Sequence, residues 1–406
     1  MQKAELHLKN PLEITVKGVL CILIFFCPLK DSIFEGSLIA TNLLFIILAS
    51  YRGELKDFWR QQPLWPVFVG LFISMTLSNT MGINTWEGWR TQIQFFLYYA
   101  LLFYSLSYFF QKRIISIRFL VLLIVIASSF HALDGVYQFV TGYDMIKGRP
   151  FSDPVLVRIS GVVYSPNHFG LIMMVVFHVL FFLLTKHKWL GITRNQYLLI
   201  NVLFMLIAFN LLYSGSRAAW LGTIIPLILY WFLNRKDKQT NIYCWIGTSI
   251  LIGIVAFSLI DVNLSPRIEN VVRGESGLRL ETWKMMLEHI EKRPFFGYGI
   301  MSHRYLVEKA GIDVLTSPHN IFLEILLYLG ILGLAVFGYF FYCILKQLWR
   351  HKTESNHFSI YLTIFAGLLI NGQFGDSLIT DKIFLTIWAL FCAIIFNTHF
   401  HANDFQ

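Results

Sequence analysis

Residues 159–185 read ISGVVYSPNHFGLIMMVVFHVLFFLLT, a stretch that contains no Asp, Glu, Lys or Arg. An α-helix needs about 20 apolar residues to cross the roughly 30 Å hydrocarbon core of a bilayer, so this stretch is long enough to span a membrane. Further stretches of about 20 residues or more also lack these charged residues: 61–86, 91–111, 195–216, 239–260, 325–345, 355–375 and 383–403. The pattern predicts an all-α polytopic membrane protein.

The composition of the whole chain agrees with that fold class. Of 406 residues, 56% are apolar and 14% are charged, and the mean hydropathy is +0.60. A soluble domain carries about 25% charged residues, so the composition excludes disordered, collagen-like and soluble multidomain proteins. A net charge of +9 would favour nucleic-acid binding in a soluble protein. Here the basic residues lie mostly between apolar spans, so we expect membrane lipids around the chain and no nucleic-acid partner.

The distribution of basic residues predicts the orientation of the chain. Eighteen of the 33 Lys and Arg residues fall in one alternating set of segments that begins with the N-terminus. By the positive-inside rule, both termini are cytoplasmic and segment 262–318 lies on the outer side. Residues 1–261 then carry spans one to nine, 262–318 form a periplasmic loop, and 319–406 carry the last three spans and a short cytoplasmic tail. The twelve predicted spans are 14–30, 33–50, 64–81, 93–110, 118–140, 162–185, 197–213, 218–233, 243–261, 319–345, 358–373 and 380–397.

The long loop 262–318 has a helical pattern of its own. Trp283, Met286, Leu287 and Ile290 recur with the spacing of one helix face, which predicts an amphipathic helix. Pro294 is expected to end it. The loop therefore contains short helices rather than a soluble domain.

Several polar residues are predicted to meet at the outer membrane–water boundary. Arg217 lies at the mouth of one span, His319 and Asn320 open another, and Arg279 lies on the apolar face of the loop helix. An arginine at a span end is most often an interfacial anchor, and a histidine at a helix start is most often structural. Both alternatives stay open for these residues.

Two acidic residues lie near the ends of predicted spans. Asp134 and Glu324 occupy positions where ionisable groups are costly and typically functional. Snorkelling of their carboxylates to water is at least as strong an alternative, because both are close to span ends.

The spacing of the histidines matches no metal-binding motif, and no nucleotide-binding motif is present. We therefore expect no metal and no cofactor. An enzyme acting on the outer face has no access to ATP, so its substrate must already be activated, which on that face usually means a lipid-linked substrate.

The ordered set of motifs resembles the O-antigen ligases (WaaL), within a superfamily shared with O-antigen polymerases and bacterial O-oligosaccharyltransferases. His319-Asn320, nine residues, Gly330, two residues and Gly333 are similar to the signature of that family. Further segments that match its recurring motifs are Ser216-Arg217-Ala218-Ala219-Trp220, Arg279-Leu280-Glu281-Thr282-Trp283, Pro294 with Gly297, and Asn167 within 161–170. The twelve predicted spans and the outer loop also fit, so the resemblance extends over essentially the whole chain.

The resemblance implies a glycosyltransferase of the bacterial inner membrane. Such ligases move a glycan from undecaprenyl diphosphate to a sugar hydroxyl of lipid A–core, at the periplasmic face, without metal and with inversion. It implies that Arg217 and Arg279 neutralise the diphosphate leaving group, because arginine binds such anions bidentately. His319 would be the general base, with Asn320 as its orienting neighbour. Further candidate binding residues are Arg158, Asn167 and Arg267.

Three other activities compete with this reading. An O-antigen polymerase would use the same donor and a second lipid-linked glycan as acceptor. A protein O-glycosylation enzyme generally carries a longer outer C-terminal region than the nine residues that follow the last predicted span here. A transporter or flippase would concentrate its polar residues near the bilayer midplane, whereas these cluster at one face.

Overall fold

The computed structural model describes residues 2–29, 31–152, 158–187, 190–235, 242, 277–309, 318–354, 358–375 and 377–397. The regular elements in these ranges are helices, with one isolated bridge between Tyr143 and Pro150. The α-helices are Gln2–Phe26, Asp31–Tyr51, Leu55–Gln61, Trp65–Met81, Thr85–Gln94, Leu101–Gln111, Ile117–Thr141, Pro166–Thr185, Arg194–Tyr213, Arg217–Asn234, Gly277–Lys292, Ser302–Lys309, Ile321–Glu354, Phe358–Phe374 and Lys382–Asn397. A π-helical segment, Phe95–Ala100, joins two of them, and a 3₁₀ turn covers Gly161–Val163.

Many of these helices have the length and composition of membrane spans. Among the described residues, six qualify: Ser32–Tyr51, Thr85–Gln111, Ile117–Thr141, Pro166–Thr185, Arg194–Tyr213 and Ile321–Arg350. Leu55–Gln61 and Trp65–Met81 qualify as one bent pair with an angle of 87° between them, and Phe358–Phe374 and Lys382–Asn397 are shorter apolar helices. The all-helical, polytopic class agrees with this inventory, whereas the number of twelve spans stays a prediction. The predicted span 243–261 lies outside the described residues.

The chain divides into two compact units. The first unit contains Met1–Leu120, Gly277–Gln347 and Ser377–His399. The second contains Val121–Ser276, Leu348–Asp376 and Phe400–Gln406.

The first unit is organised around a break in helix Ile321–Glu354, called here the broken helix. Gly330 has φ 65° and ψ −162°, a conformation available almost only to glycine. The break releases the carbonyls of Leu327 and Tyr328, which accept the N–H groups of Tyr298 (2.8 Å) and Gly299 (3.1 Å).

The same segment also binds the other side of the break. The N–H groups of Ile331 and Leu332 donate to the carbonyls of Pro294 (2.8 Å) and Phe295 (3.4 Å). Buried backbone groups must find partners in a membrane protein, and segment 294–299 supplies them here. The two motifs that resembled the family, one around Pro294 and one around Gly330, are thus parts of a single structural device.

The second unit is held by close helix packing at two glycines. A Cβ atom on Gly222 would lie 3.0 Å from the Gly367 carbonyl oxygen, and one on Gly367 would lie 2.8 Å from the Gly222 oxygen. Small residues allow such close approach between helices in a bilayer, where packing rather than the hydrophobic effect drives association. Helices Arg217–Asn234 and Phe358–Phe374 therefore support each other along this contact.

Candidate active site

In the second unit, a tight turn delivers Arg217 to the start of a helix. Gly215 adopts φ 59°, a left-handed conformation that favours glycine, and so reverses the chain after Tyr213. The Ser216 hydroxyl accepts the N–H of Ala219, which makes Ser216 the N-cap of helix Arg217–Asn234, called here the Arg217 helix. Arg217 is therefore the first helical residue.

A second helix begins at the same place. Ser165 caps helix Pro166–Thr185, called here the Pro166 helix, by accepting the N–H of His168. Gly170 on this helix faces the other turn so closely that a Cβ atom there would lie 2.8 Å from the Ser216 Cβ and 2.9 Å from the Ser214 hydroxyl oxygen. The turn that opens the Arg217 helix therefore packs against the Pro166 helix close to the start of that helix.

Arg158 connects the starts of these two helices. Its Nε donates to the Ser214 carbonyl at 2.9 Å, and its Nη2 donates to the Asn167 side-chain oxygen at 2.9 Å. A Cβ atom on Gly215 would lie 3.0 Å from the Arg158 Nε, so glycine is needed for this approach as well as for the turn. Arg158 and Asn167, both predicted as binding residues, are thus brought together beside Arg217.

This arrangement has positive charge of the kind that an anion site requires. Helix N-termini carry a partial positive charge and unpaired N–H groups, and they bind phosphates readily. Within the described parts of the chain, the half-buried Arg217 guanidinium makes no hydrogen bond or ion pair, whereas Arg158 is fixed in place. The group therefore combines one braced arginine with one that is available to a ligand.

In the first unit, His319 lies at the start of the broken helix. His319 has φ 49°, which is unusual for a residue other than glycine. The residue before it is also fixed, because the Trp283 indole N–H donates to the Pro318 carbonyl at 2.8 Å. A non-glycine residue held in this region is a candidate for a functional position.

Asn320 has a structural role that the sequence did not reveal. Its side-chain oxygen accepts the N–H groups of Phe322 (3.1 Å) and Leu323 (3.0 Å), which caps the first turn of the broken helix. This cap fixes the backbone next to His319. The predicted orienting role of Asn320 therefore has a physical route through the backbone.

Glu324 is buried one turn farther into the broken helix. Its Oε1 accepts the Ser377 hydroxyl at 2.6 Å, and the neighbouring Tyr328 hydroxyl is hydrogen-bonded to His303. The Ser78 hydroxyl donates to the carbonyl of Tyr328. A buried and bonded Glu324 agrees with a structural position rather than with snorkelling.

Two of the predicted site residues, Arg279 and Arg267, lie wholly or partly outside the part of the chain that the structure describes. Arg279 lies in helix Gly277–Lys292, which confirms the helix predicted from Trp283 and its neighbours, but its side chain is outside the description. Arg267 lies outside the described residues altogether. Arg158, Asn167 and Arg217 belong to the second unit, and Arg279, His319 and Asn320 belong to the first.

The sequence also gave no warning of two loop segments, 142–152 and 158–164, which buried side chains hold in place and which are called here the braced loop. Asp134 is buried and accepts the N–H groups of Met145 and Val162, both at 2.6 Å. The Gln138 side-chain oxygen accepts the N–H groups of Ser160 (2.9 Å) and Gly161 (2.7 Å). Asp134 and Gln138 are four residues apart, on one helix face, which was the only signal in the sequence.

Asp144 organises the first part of this loop. Its carboxylate accepts the N–H groups of Ile146, Lys147 and Arg149 and pairs with the Arg149 side chain at 3.2 Å. Burial opposes ionisation, but the hydrogen bonds from Lys147 and Arg149 and the charge of Arg149 outweigh it and lower the pKa of Asp144. Asp144 is therefore a stable anion at neutral pH.

Comparison with known proteins finds a family match over part of the chain and several distant relatives. Residues 202–338 match the family described as O-antigen ligase, which confirms the resemblance over that segment. The chain is 26% identical to an O-antigen ligase of Salmonella typhimurium over 239 residues, covering 52% of this chain and 56% of that protein. It is 24% identical to the ComP-specific O-oligosaccharyltransferase of Acinetobacter baylyi over 233 residues, covering 53% and 40%. The chain thus spans about half the length of the curated relatives it matches.

Proposed function

We propose that this protein, with its O-antigen ligase segment at 202–338, transfers a glycan from undecaprenyl diphosphate to a sugar hydroxyl of lipid A–core. The reaction takes place at the periplasmic face of the bacterial inner membrane, with both termini of the chain in the cytoplasm. The observation that carries the proposal is the grouping of Arg217 and Arg158 with the starts of two helices.

The anion site suits a diphosphate leaving group. As the glycosidic bond breaks, its electron pair passes to the diphosphate oxygen, and negative charge accumulates there. Arg217 binds the diphosphate bidentately and keeps its proton, while the N–H groups of the first helical turns add fixed dipoles. Such preorganised donors stabilise the transition state without the help of a metal. Arg279 is a second arginine for the same charge, and Arg158, Asn167 and Arg267 bind the substrate.

His319 provides the base. The acceptor hydroxyl attacks the anomeric carbon from the side opposite the diphosphate, and His319 removes the hydroxyl proton as the new bond forms. In-line attack inverts the anomeric configuration. The Asn320 cap and the Trp283–Pro318 hydrogen bond keep the His319 backbone in place during this step.

Purified protein in vesicles, with undecaprenyl-diphosphate glycan and lipid A–core, provides the test. We expect glycosylated lipid A–core to form in the presence of EDTA. His319→Ala abolishes transfer, and Arg217→Lys lowers the rate on the order of 10- to 100-fold, because a charge-assisted bidentate contact contributes about 1.5–3 kcal/mol. Arg235→Lys, at the other end of the Arg217 helix, is the matched control and retains full activity.

The acceptor is tested in the same reaction. Longer lipid-linked glycans without product on lipid A–core would identify a polymerase and overturn the proposed acceptor. Full activity of His319→Ala would overturn the assignment of the base.

A further inference from the structure

Tyr164 is displayed in an unusual backbone conformation. It ends the 3₁₀ turn Gly161–Val163 with φ 66°, in the left-handed region, and the residue is 51% exposed. A bulky residue seldom adopts this conformation, and such strain persists only where the surrounding structure over-determines it. Residues of this kind cluster at binding and active sites.

Buried groups beneath the loop hold Tyr164 in this conformation. Asp134 binds the N–H of Val162, and Gln138 binds those of Ser160 and Gly161. A Cβ atom on Gly161 would lie 2.5 Å from the Asp134 carboxylate, so the turn rests directly on that side chain. The backbone that precedes Tyr164 is therefore rigid.

The orientation of the Tyr164 ring is also fixed. The Arg149 guanidinium lies over one face of the ring, 4.6 Å from its centroid. Arg149 is itself held by Asp144 at 3.2 Å and by a hydrogen bond to the Val162 carbonyl. One face of the ring is thus covered by a braced cation, while about half of the residue stays exposed.

A rigid, open aromatic face is suited to a sugar. One side of a pyranose ring presents C–H groups with partial positive charge, which pack against the negative face of an aromatic ring. Binding to a preorganised ring costs little side-chain entropy. The position also fits, because Tyr164 is three residues from Asn167, whose side chain binds Arg158 at the proposed anion site.

We propose that the open face of Tyr164 stacks on a pyranose ring of the donor glycan, the sugar nearest the diphosphate. This inference rests on the proposed function, since it takes the Arg158–Arg217 group to bind the diphosphate. Stacking recognises a sugar ring rather than a particular pattern of hydroxyl groups, so it makes Tyr164 a general glycan contact.

A direct binding measurement tests the proposed stacking platform, the exposed face of Tyr164, without requiring turnover. The full-length protein in detergent is titrated with undecaprenyl diphosphate and with undecaprenyl diphosphate that carries one pyranose. The ratio of the two dissociation constants measures the contribution of the sugar. In Tyr164→Ala we expect this preference for the sugar-bearing lipid to fall about three- to tenfold, the size of an aromatic contact. Tyr164→Phe and Tyr164→Trp should keep this preference, because both retain an aromatic ring.

Tyr143→Ala is the matched control, since Tyr143 lies in the same loop and is 55% exposed. It should leave the preference at the wild-type value. An unchanged preference in Tyr164→Ala, or an equal loss in Tyr143→Ala, would show that Tyr164 only anchors the loop and overturn the proposal. A change in affinity for lipid A–core alone would equally overturn it. Wild-type protein that binds the sugar-bearing lipid with this preference, yet transfers nothing, would refute the proposed reaction and leave the platform standing.

Discussion

Replacing Gly330 with alanine tests whether the close backbone contact between the broken helix and segment 294–299 stabilises the protein. A Cβ atom at Gly330 would lie 2.4 Å from the carbonyl carbon and oxygen of Phe295 and 2.7 Å from the nitrogen of Phe296. All three are backbone atoms, so the segment must move as a whole. The φ of 65° and ψ of −162° add strain of about 1–3 kcal/mol for a residue with a side chain.

The movement also breaks hydrogen bonds. Four of them cross between segment 294–299 and the break, and losing two costs about 1 kcal/mol each. Together with the strain, Gly330→Ala should lower the free energy of unfolding by about 4 kcal/mol. It should also abolish glycan transfer, since the segment that carries His319 leads into this break.

Gly338→Ala is the matched control. It lies on the same helix, and a Cβ atom there would meet nothing within 4 Å. Alanine is the better helix former, so this variant should be neutral or stabilised by up to about 1 kcal/mol. The measurement is unfolding of both variants in mixed micelles by a denaturing detergent. Equal stability of the two variants would refute the claim that the contact between Gly330 and segment 294–299 stabilises the protein.

Three further predictions concern the cap, the packing and the braced loop. Asn320→Ser keeps an oxygen that caps the helix and should retain activity, whereas Asn320→Ala should lose about 1 kcal/mol of stability and most of its turnover, as measured by unfolding and transfer assays. Gly367→Ala should destabilise the second unit by about 1–3 kcal/mol, because its Cβ would lie 2.8 Å from the Gly222 carbonyl, and Gly18→Ala, with open space around it, should not. The lowered pKa of Asp144 means that its stabilisation of the loop is complete above the usual carboxyl value of about 4 and is lost as pH falls through the still lower folded-state value. The N–H groups of Ile146, Lys147 and Arg149 bind the Asp144 carboxylate, so their hydrogen exchange should be slow at neutral pH in the wild type and fast in Asp144→Ala.

The sequence predicted the membrane class and several helix ends from local patterns. The helix around Trp283 ends at Lys292, two residues before Pro294, as the spacing indicated. The break at Gly330 could not be predicted in the same way, since glycines are common in unbroken spans. It depends on four backbone hydrogen bonds to segment 294–299, which lies 29 to 37 positions earlier in the chain.

The candidate site residues could likewise be identified from local motifs, whereas their contacts with distant parts of the chain could not be predicted. The sequence identified Arg158 and Asn167 separately, but the hydrogen bond between Arg158 and Ser214 spans 56 positions and has no local signature. The sequence predicts that Asn320 orients its neighbour, and this role stays a prediction; the contacts seen in the structure are backbone caps. Tyr164 has no sequence signal, because its strain and its stacking on Arg149 exist only in the folded loop.

The most direct test of the central claim is the product formed by purified protein from undecaprenyl-diphosphate glycan and lipid A–core. The proposal predicts glycan joined to lipid A–core through an inverted anomeric carbon, formed in EDTA and lost in His319→Ala. Lipid A–core recovered unmodified, while the donor is consumed or extended, would contradict it.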